Sequence, residues 1–184
     1  MPNISIVCPV FNERSNISEF VSRIKKVMTN YPNFEIIFSV DPSTDGTEQL
    51  IRQANLEDSR VKMVLLSRRF GQPAATLAGL DFANGDAVVI MDVDLQDPPE
   101  VIPEMIEIWL DGSSVVLAER KARTGEPFTK KIVSKLGYAF LNRFSDVPIP
   151  RNTGDFRLLD KKVVAAIKKF PESNRKFTCL TDLA

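Results

Sequence analysis

Short, wholly apolar runs that recur with helical periods between them constrain this chain more than any other feature. Residues 4–8 form a β-branched run stopped by Pro9, and 15–28 follow with Ile17, Phe20, Val21, Ile24, Val27 and Met28 at helical spacing. The cycle repeats: 34–40, 61–66 and 87–91 read as strands, 47–54 and 74–83 as helices. Pro98 and Pro99 open a further helix, with Val101, Ile102, Met105, Ile106 and Trp109 as its inward stripe, and 114–118 supplies a fifth strand. Beyond it the spacing predicts a long amphipathic helix over 128–144, a Pro-rich loop, a short extended piece at 155–159 and a helix over 161–169. Strands alternating with helices define an α/β fold, a mainly parallel sheet sandwiched by helices. The length, 184 residues, suits a single domain spanning 1–184.

Composition narrows the chemistry. The chain has no histidine, which removes Ser-His-Asp hydrolysis, Cys-His nucleophilic catalysis and His-ligated metals together. Acids, bases and metal ligands must come largely from carboxylates. With 24 basic residues against 24 acidic ones there is no electrostatic footprint for a nucleic-acid partner. Cys8 and Cys179 make neither a disulfide framework nor a zinc spacing. No apolar run approaches the roughly 18 residues that would span a bilayer, and no signal segment precedes the first strand. A cytoplasmic location without a transmembrane helix is the expectation.

In open parallel sheets ligands bind beyond the carboxyl ends of the strands, so the residues after each apolar run matter most. The first run exits into Pro9-Val10-Phe11-Asn12-Glu13, with none of the glycines a dinucleotide site uses to admit a pyrophosphate. A diphosphate here would need a metal or basic side chains. The fourth run is followed by Asp92, Asp94 and Asp97 within six positions. Residues two apart on an extended segment point the same way, so Asp92 and Asp94 can converge on Mg²⁺ or Mn²⁺ bridging two phosphates. The competing reading is that these aspartates cap the helix beginning near Pro98, a role that suits Asp97.

After the second run, Asp41 can accept a base N–H, whereas Asp45 or Ser43 can cap the following helix. Arg68 and Arg69 beside Gly71 suit phosphate oxygens, with solvated surface charge as the alternative. Arg120, Lys121 and Arg123 with Gly125 resemble a loop able to close on an anionic substrate. Asp155, in Gly154-Asp155-Phe156-Arg157, is the remaining candidate for a base or acceptor-positioning group, against an ion pair with Arg157 or a helix cap.

Taken together, 8–13, 41–47, 67–71, 91–99 and 154–159 resemble family 2 glycosyltransferases of GT-A fold. They are most similar to the polyprenyl-phosphate branch, which includes bactoprenol glucosyltransferases and dolichol-phosphate mannose synthases. The resemblance implies an inverting hexosyltransferase that moves sugar from a UDP- or GDP-hexose to a polyprenyl phosphate at the inner face of the membrane. It implies that Pro9, Phe11, Glu13 and Asp41 hold the nucleoside, that Asp92 and Asp94 take the diphosphate and metal, and that Gln96 and Asp155 face the reacting centre as catalytic candidates. Arg68 joins the donor contacts on the chemistry of its guanidinium.

This chain departs from the pattern in places. Val40 and Pro42 replace an acid and a glycine of the D-D-G-S turn, Arg69 stands where Asn is usual, and Gln72 where Lys is usual. The branch also continues into an interfacial region and transmembrane helices that 1–184 does not contain. Two other readings stay open: a soluble family 2 transferase acting on a saccharide hydroxyl, and a nucleotide-sugar-binding domain without turnover. The oligomeric state, homo-oligomer included, is open too.

Overall fold

The computed structural model describes residues 1–119 and 153–169. The elements run β1 (Ile4–Val10), α1 (Arg14–Val27), β2 (Phe34–Val40), α2 (Thr47–Glu57), β3 (Val61–Leu65), α3 (Gln72–Phe82), β4 (Ala87–Ile90), α4 (Ile102–Leu110), β5 (Val115–Glu119), β6 (Thr153–Asp160) and α5 (Lys161–Lys169). The helix expected over 128–144, the basic loop at 120–125 and Cys179 lie outside the described residues.

The strands form one six-stranded sheet in the order β3-β2-β1-β4-β6-β5. β1 pairs in parallel with β2 and β4, and β2 with β3, whereas β6 runs antiparallel to both β4 and β5. β1, β2 and β4 are buried along their whole length, which is why they read as unbroken apolar runs rather than alternating ones.

Alternate side chains still sort to two faces. Ile4, Ile6, Cys8 and Val10 join Phe34, Ile36, Phe38 and Val40 in a core covered by α1, α2 and α4. Val7, Ile37, Val88 and Ile90 face Leu80 of α3 and Val163, Val164 and Ile167 of α5. Each fully buried Ile or Phe contributes about 1.5–3 kcal/mol by leaving water. Phe20 meets Phe38 edge-on at 6.0 Å between centroids, a geometry aromatic quadrupoles favour. Gly79 lets α3 cross close over β1, since a Cβ there would lie 2.5 Å from Val7 Cγ1.

Several boundaries differ from expectation. Pro9 does not stop the first strand: β1 runs on to Val10, with Pro9 opposite Ser39 of β2, at a point where the ladder with β4 has already ended at Val7. α2 continues to Glu57 rather than ending at 54. α3 starts at Gln72 rather than 74, because Pro73 fits the first turn of a helix. After Pro98 the chain makes a 3₁₀ turn over Pro99–Val101 before α4 begins at Ile102. The piece at 155–159 is an eight-residue strand, Thr153–Asp160, paired on both sides.

The order in which strands are added reverses around β1: β2 and β3 build out one way, and β4 lies on the other side. A crevice therefore opens beyond the carboxyl ends of β1 and β4, where the connections leave in opposite directions.

Candidate active site at the carboxyl ends of the central strands

The exits of β1 and β2 are zipped together. Asn12, at a left-handed φ of 55°, donates its backbone N–H to Ser43 Oγ at 3.1 Å and accepts the Thr44 N–H on its Oδ1 at 2.9 Å. Asp45 accepts the Arg14 N–H on one oxygen at 3.0 Å, and on the other the Thr47 N–H at 3.0 Å and the Thr47 hydroxyl at 2.6 Å. Desolvation, the largest single influence, raises the Asp45 carboxyl, yet these bonds together hold it below its ordinary value. Asp45 is thus a structural clamp. By locking the two exits it places Phe11 and Glu13 at the edge of the crevice.

Asp41 is buried, 2% exposed, and both its oxygens are engaged by backbone: Phe70 N–H at 3.0 Å and Gly71 N–H at 2.9 Å. Gly71 takes a φ of +88°, which suits glycine, immediately before α3. The next residue, Gln72, reaches across the crevice. Its Nε2 donates to Asp92 Oδ1 at 2.9 Å and to Asp155 Oδ2 at 3.2 Å.

The Asp92-Val93-Asp94 segment follows the pleat: Val93 is buried at 2% exposure, while its two neighbours are half-buried and line the crevice. Leu95 then adopts a φ of 60°, and Asp94 Oδ1 accepts the Gln96 N–H at 3.0 Å. A left-handed leucine costs about 1 kcal/mol or more, held here by packing of its side chain on the main core. The 3₁₀ turn is entered from Pro98 and α4 from Val101, neither of which supplies a capping side chain.

Asp155 arrives by strand pairing. β6 runs antiparallel to β4 with Arg157 opposite Ile90, so continuing that register sets Asp155 opposite Asp92. Arg157, 1% exposed, lies beneath and holds Asp155 Oδ1 at 3.3 Å.

The result is a cleft of about 180 Å³ lined by Pro9, Phe11, Glu13, Asp41, Asp92 and Asp94, together with Val10, Gln72, Ala75 and Val93. Six sequence candidates thus converge, and Asp155 is tied to them through Gln72. Gln96 does not line this cleft; it faces a second hollow of about 590 Å³ beside Asp97 and Phe156. Arg68 is exposed and stacks on Phe70 at 4.7 Å, while Arg69 rests over the Phe11 ring at 4.0 Å. Gln72 and Arg157 were not site candidates on sequence: an amide and an ion-pair partner become conspicuous only when the carboxylates they hold are seen together. Burial pushes the Cys8 thiol well up, and the nearby Asp92 charge adds to this, leaving an inert thiol under the site.

Among the described residues no group of three or more His, Cys, Asp or Glu side chains gathers closely enough to hold an ion alone. Asp92 and Asp94 supply hard carboxylate oxygens on one cleft wall. That donor set fits Mg²⁺ or Mn²⁺, which bind through one or two carboxylates and take their other oxygens from phosphates and water.

A family model described as glycosyl transferase family 2 matches residues 5–168. The chain belongs to that family. It is 46% identical over 171 residues to an uncharacterized glycosyltransferase, YkcC, of Bacillus subtilis (strain 168), covering 92% of this chain and 53% of that protein. It is 42% identical over 172 residues to the bactoprenol glucosyl transferase of Shigella phage SfV, covering 93% and 56%. The chain therefore spans about half the length of the curated relatives it matches.

Among solved structures it is similar to the mannosyltransferase PcManGT from Pyrobaculum calidifontis in complex with GDP-Man and Mn²⁺, with a TM-score of 0.63, 22% identity and coverage of 92% and 48%. It is also similar to glucosyl-3-phosphoglycerate synthase from Mycobacterium tuberculosis in complex with UDP, at a TM-score of 0.61, 23% identity and coverage of 88% and 58%. At these identities the likeness shows the fold, which is GT-A.

Proposed function

We propose that residues 1–184 form the donor-binding and catalytic part of an inverting glycosyltransferase that moves a hexose from a nucleotide-diphosphate sugar to a polyprenyl phosphate. The observation that carries this reading is the convergence of Asp92, Asp94 and the β1 and β2 exits on one cleft, with Asp155 across it. The bactoprenol glucosyl transferases among the 42% identical relatives support the acceptor class.

In this reading Phe11 and Glu13 border the nucleoside, and Asp41 shapes its pocket by holding the Phe70–Gly71 backbone. Asp92 and Asp94 hold Mg²⁺ or Mn²⁺, which when bound neutralises charge on the leaving diphosphate. The acceptor phosphate oxygen attacks the anomeric carbon, the bond from that carbon to the diphosphate breaks, and the configuration inverts. A phosphate monoester has a second pKa of about 6, so the nucleophile is already largely ionised near neutral pH and little proton abstraction is needed. Asp155, gripped by Arg157 and Gln72, then orients the acceptor more than it removes a proton.

Among the described residues no helix is long and apolar enough to cross a membrane. A polyprenyl acceptor nonetheless places the reaction at a membrane surface, its cytoplasmic face in this proposal. Titration calorimetry with UDP and GDP in the presence of Mn²⁺, run beside transfer of labelled hexose to a short polyprenyl phosphate, tests the proposal and identifies the nucleotide. Metal-dependent transfer to the lipid phosphate is expected. Full activity in excess chelator, or donor binding without transfer to that acceptor, would overturn it.

A further inference from the structure

Gln72 occupies the first position of α3 and is exposed to the cleft. A primary amide carries two N–H donors, and the Gln72 nitrogen directs one at each of two carboxylates, Asp92 at 2.9 Å and Asp155 at 3.2 Å. The second oxygen of Asp155 takes Arg157 at 3.3 Å, so its carboxylate plane is held from both ends. Upstream, Asp41 grips the Phe70 and Gly71 N–H groups and so sets where α3 begins. Hydrogen bonds at Gly71 and Gln72, joined by the chain between them, therefore link the exit of β2 through the start of α3 to the exit of β4 and the start of β6.

The chemistry of the bridge matters as much as its geometry. Two carboxylates bonded to one nitrogen repel each other, and two N–H dipoles offset that repulsion without adding net charge. A neutral amide makes this bridge without changing the cluster's net charge. We infer that Gln72 is a positioning residue that couples the donor-side carboxylate Asp92 to the acceptor-side carboxylate Asp155. This rests on the proposed roles of those two aspartates. Gln72 sets the orientation of Asp155 relative to the bound donor, and its loss lowers turnover more than donor binding.

The side-chain amide resonances of Gln72, identified by their disappearance in Gln72→Leu, give a readout independent of activity. They should shift in Asp155→Asn and again when Mg²⁺ and UDP are added together. Turnover in Gln72→Leu should fall about 10- to 100-fold with donor KM changed less than about threefold, as misplacement of a reacting group predicts. In an Asp155→Asn background the same substitution should cost less than about threefold, because the two act as one unit. Gln72→Glu keeps the size and adds a third negative charge, so it should lose more than Gln72→Leu.

Amide signals unmoved by Asp155→Asn, or costs of Gln72→Leu and Asp155→Asn that simply multiply, overturn the coupling. Failure of the underlying reading looks different: Asp94→Asn would leave Mn²⁺-dependent UDP binding intact by calorimetry, whatever Gln72 does.

Discussion

The two ends of the same sheet treat carboxylates in opposite ways. At the amino ends, Glu35 of β2 is buried and fully answered: Ser5 Oγ donates at 2.6 Å, the Asn84 N–H at 3.0 Å and Lys62 Nζ at 2.6 Å, with Ser5 Oγ in turn accepting the Gly85 N–H at 2.8 Å. Gly85 is required there, since a Cβ would stand 2.6 Å from the Ser5 backbone nitrogen. At the carboxyl ends, Asp92, Asp94 and Asp155 gather around a cleft, and a neutral amide bridges two of them. A buried acid matched by a cation and neutral donors contributes to folding, whereas acids clustered beside solvent leave capacity for a ligand. Residue type is shared, and the difference lies in what faces it.

The comparison breaks first at the cleft. Asp94→Asn should lower sugar transfer by about 10³-fold while leaving the circular dichroism and melting curve unchanged, since the charge removed serves a ligand rather than the fold. Asp155→Asn should cost about 10²-fold in kcat, with donor affinity by calorimetry unaltered. Near-total loss there would indicate an acceptor hydroxyl needing deprotonation, in place of an ionised phosphate.

The amino end should respond in stability instead. Glu35→Gln should cost about 1–3 kcal/mol of unfolding free energy by urea denaturation, through the unpaired Lys62 and disturbed Ser5, and leave UDP binding alone. Desolvation, the largest influence, raises the Glu35 carboxyl, but the bonds from Lys62, Ser5 and Asn84 outweigh it and hold the group below its ordinary value. A depressed folded pKa stabilises fully above the unfolded value of about 4.3 and loses that contribution as pH falls through the folded one. The gap between wild type and Glu35→Gln should therefore be constant from neutral pH down to about 5 and close in more acid solution. Smallest of all, Asp45→Ala should cost about 1 kcal/mol, the usual loss for a side chain capping backbone N–H groups, together with a slight weakening of donor affinity as the β1 and β2 exits loosen.

Much of the architecture was legible because the strands that matter are buried on both faces. Residues 34–40 and 161–169 have the same limits in the sequence pattern and in the structure, since an unbroken apolar run and a helical stripe are both local signals. The wall formed by Pro9, Phe11, Glu13, Asp41, Asp92 and Asp94 was legible for a related reason. Parallel strands put all their exits at one edge, so residues far apart in sequence share a place by topology alone. What Asp41 touches was not legible: a base N–H was one candidate partner, and the structure shows two backbone N–H groups 29 and 30 residues away.

By itself, then, the sequence determined the α/β layering, the cleft edge and a supply of hard oxygen ligands without histidine. Tertiary structure alone decided that Asp155 stands opposite Asp92, because antiparallel register between β4 and β6 is set by packing across the sheet and leaves no local pattern. It also decided that Gln72 joins them. A glutamine at the start of a helix carries no sign of its partners until the backbone turn at Gly71 aims it, and that turn is held by a carboxylate from another strand.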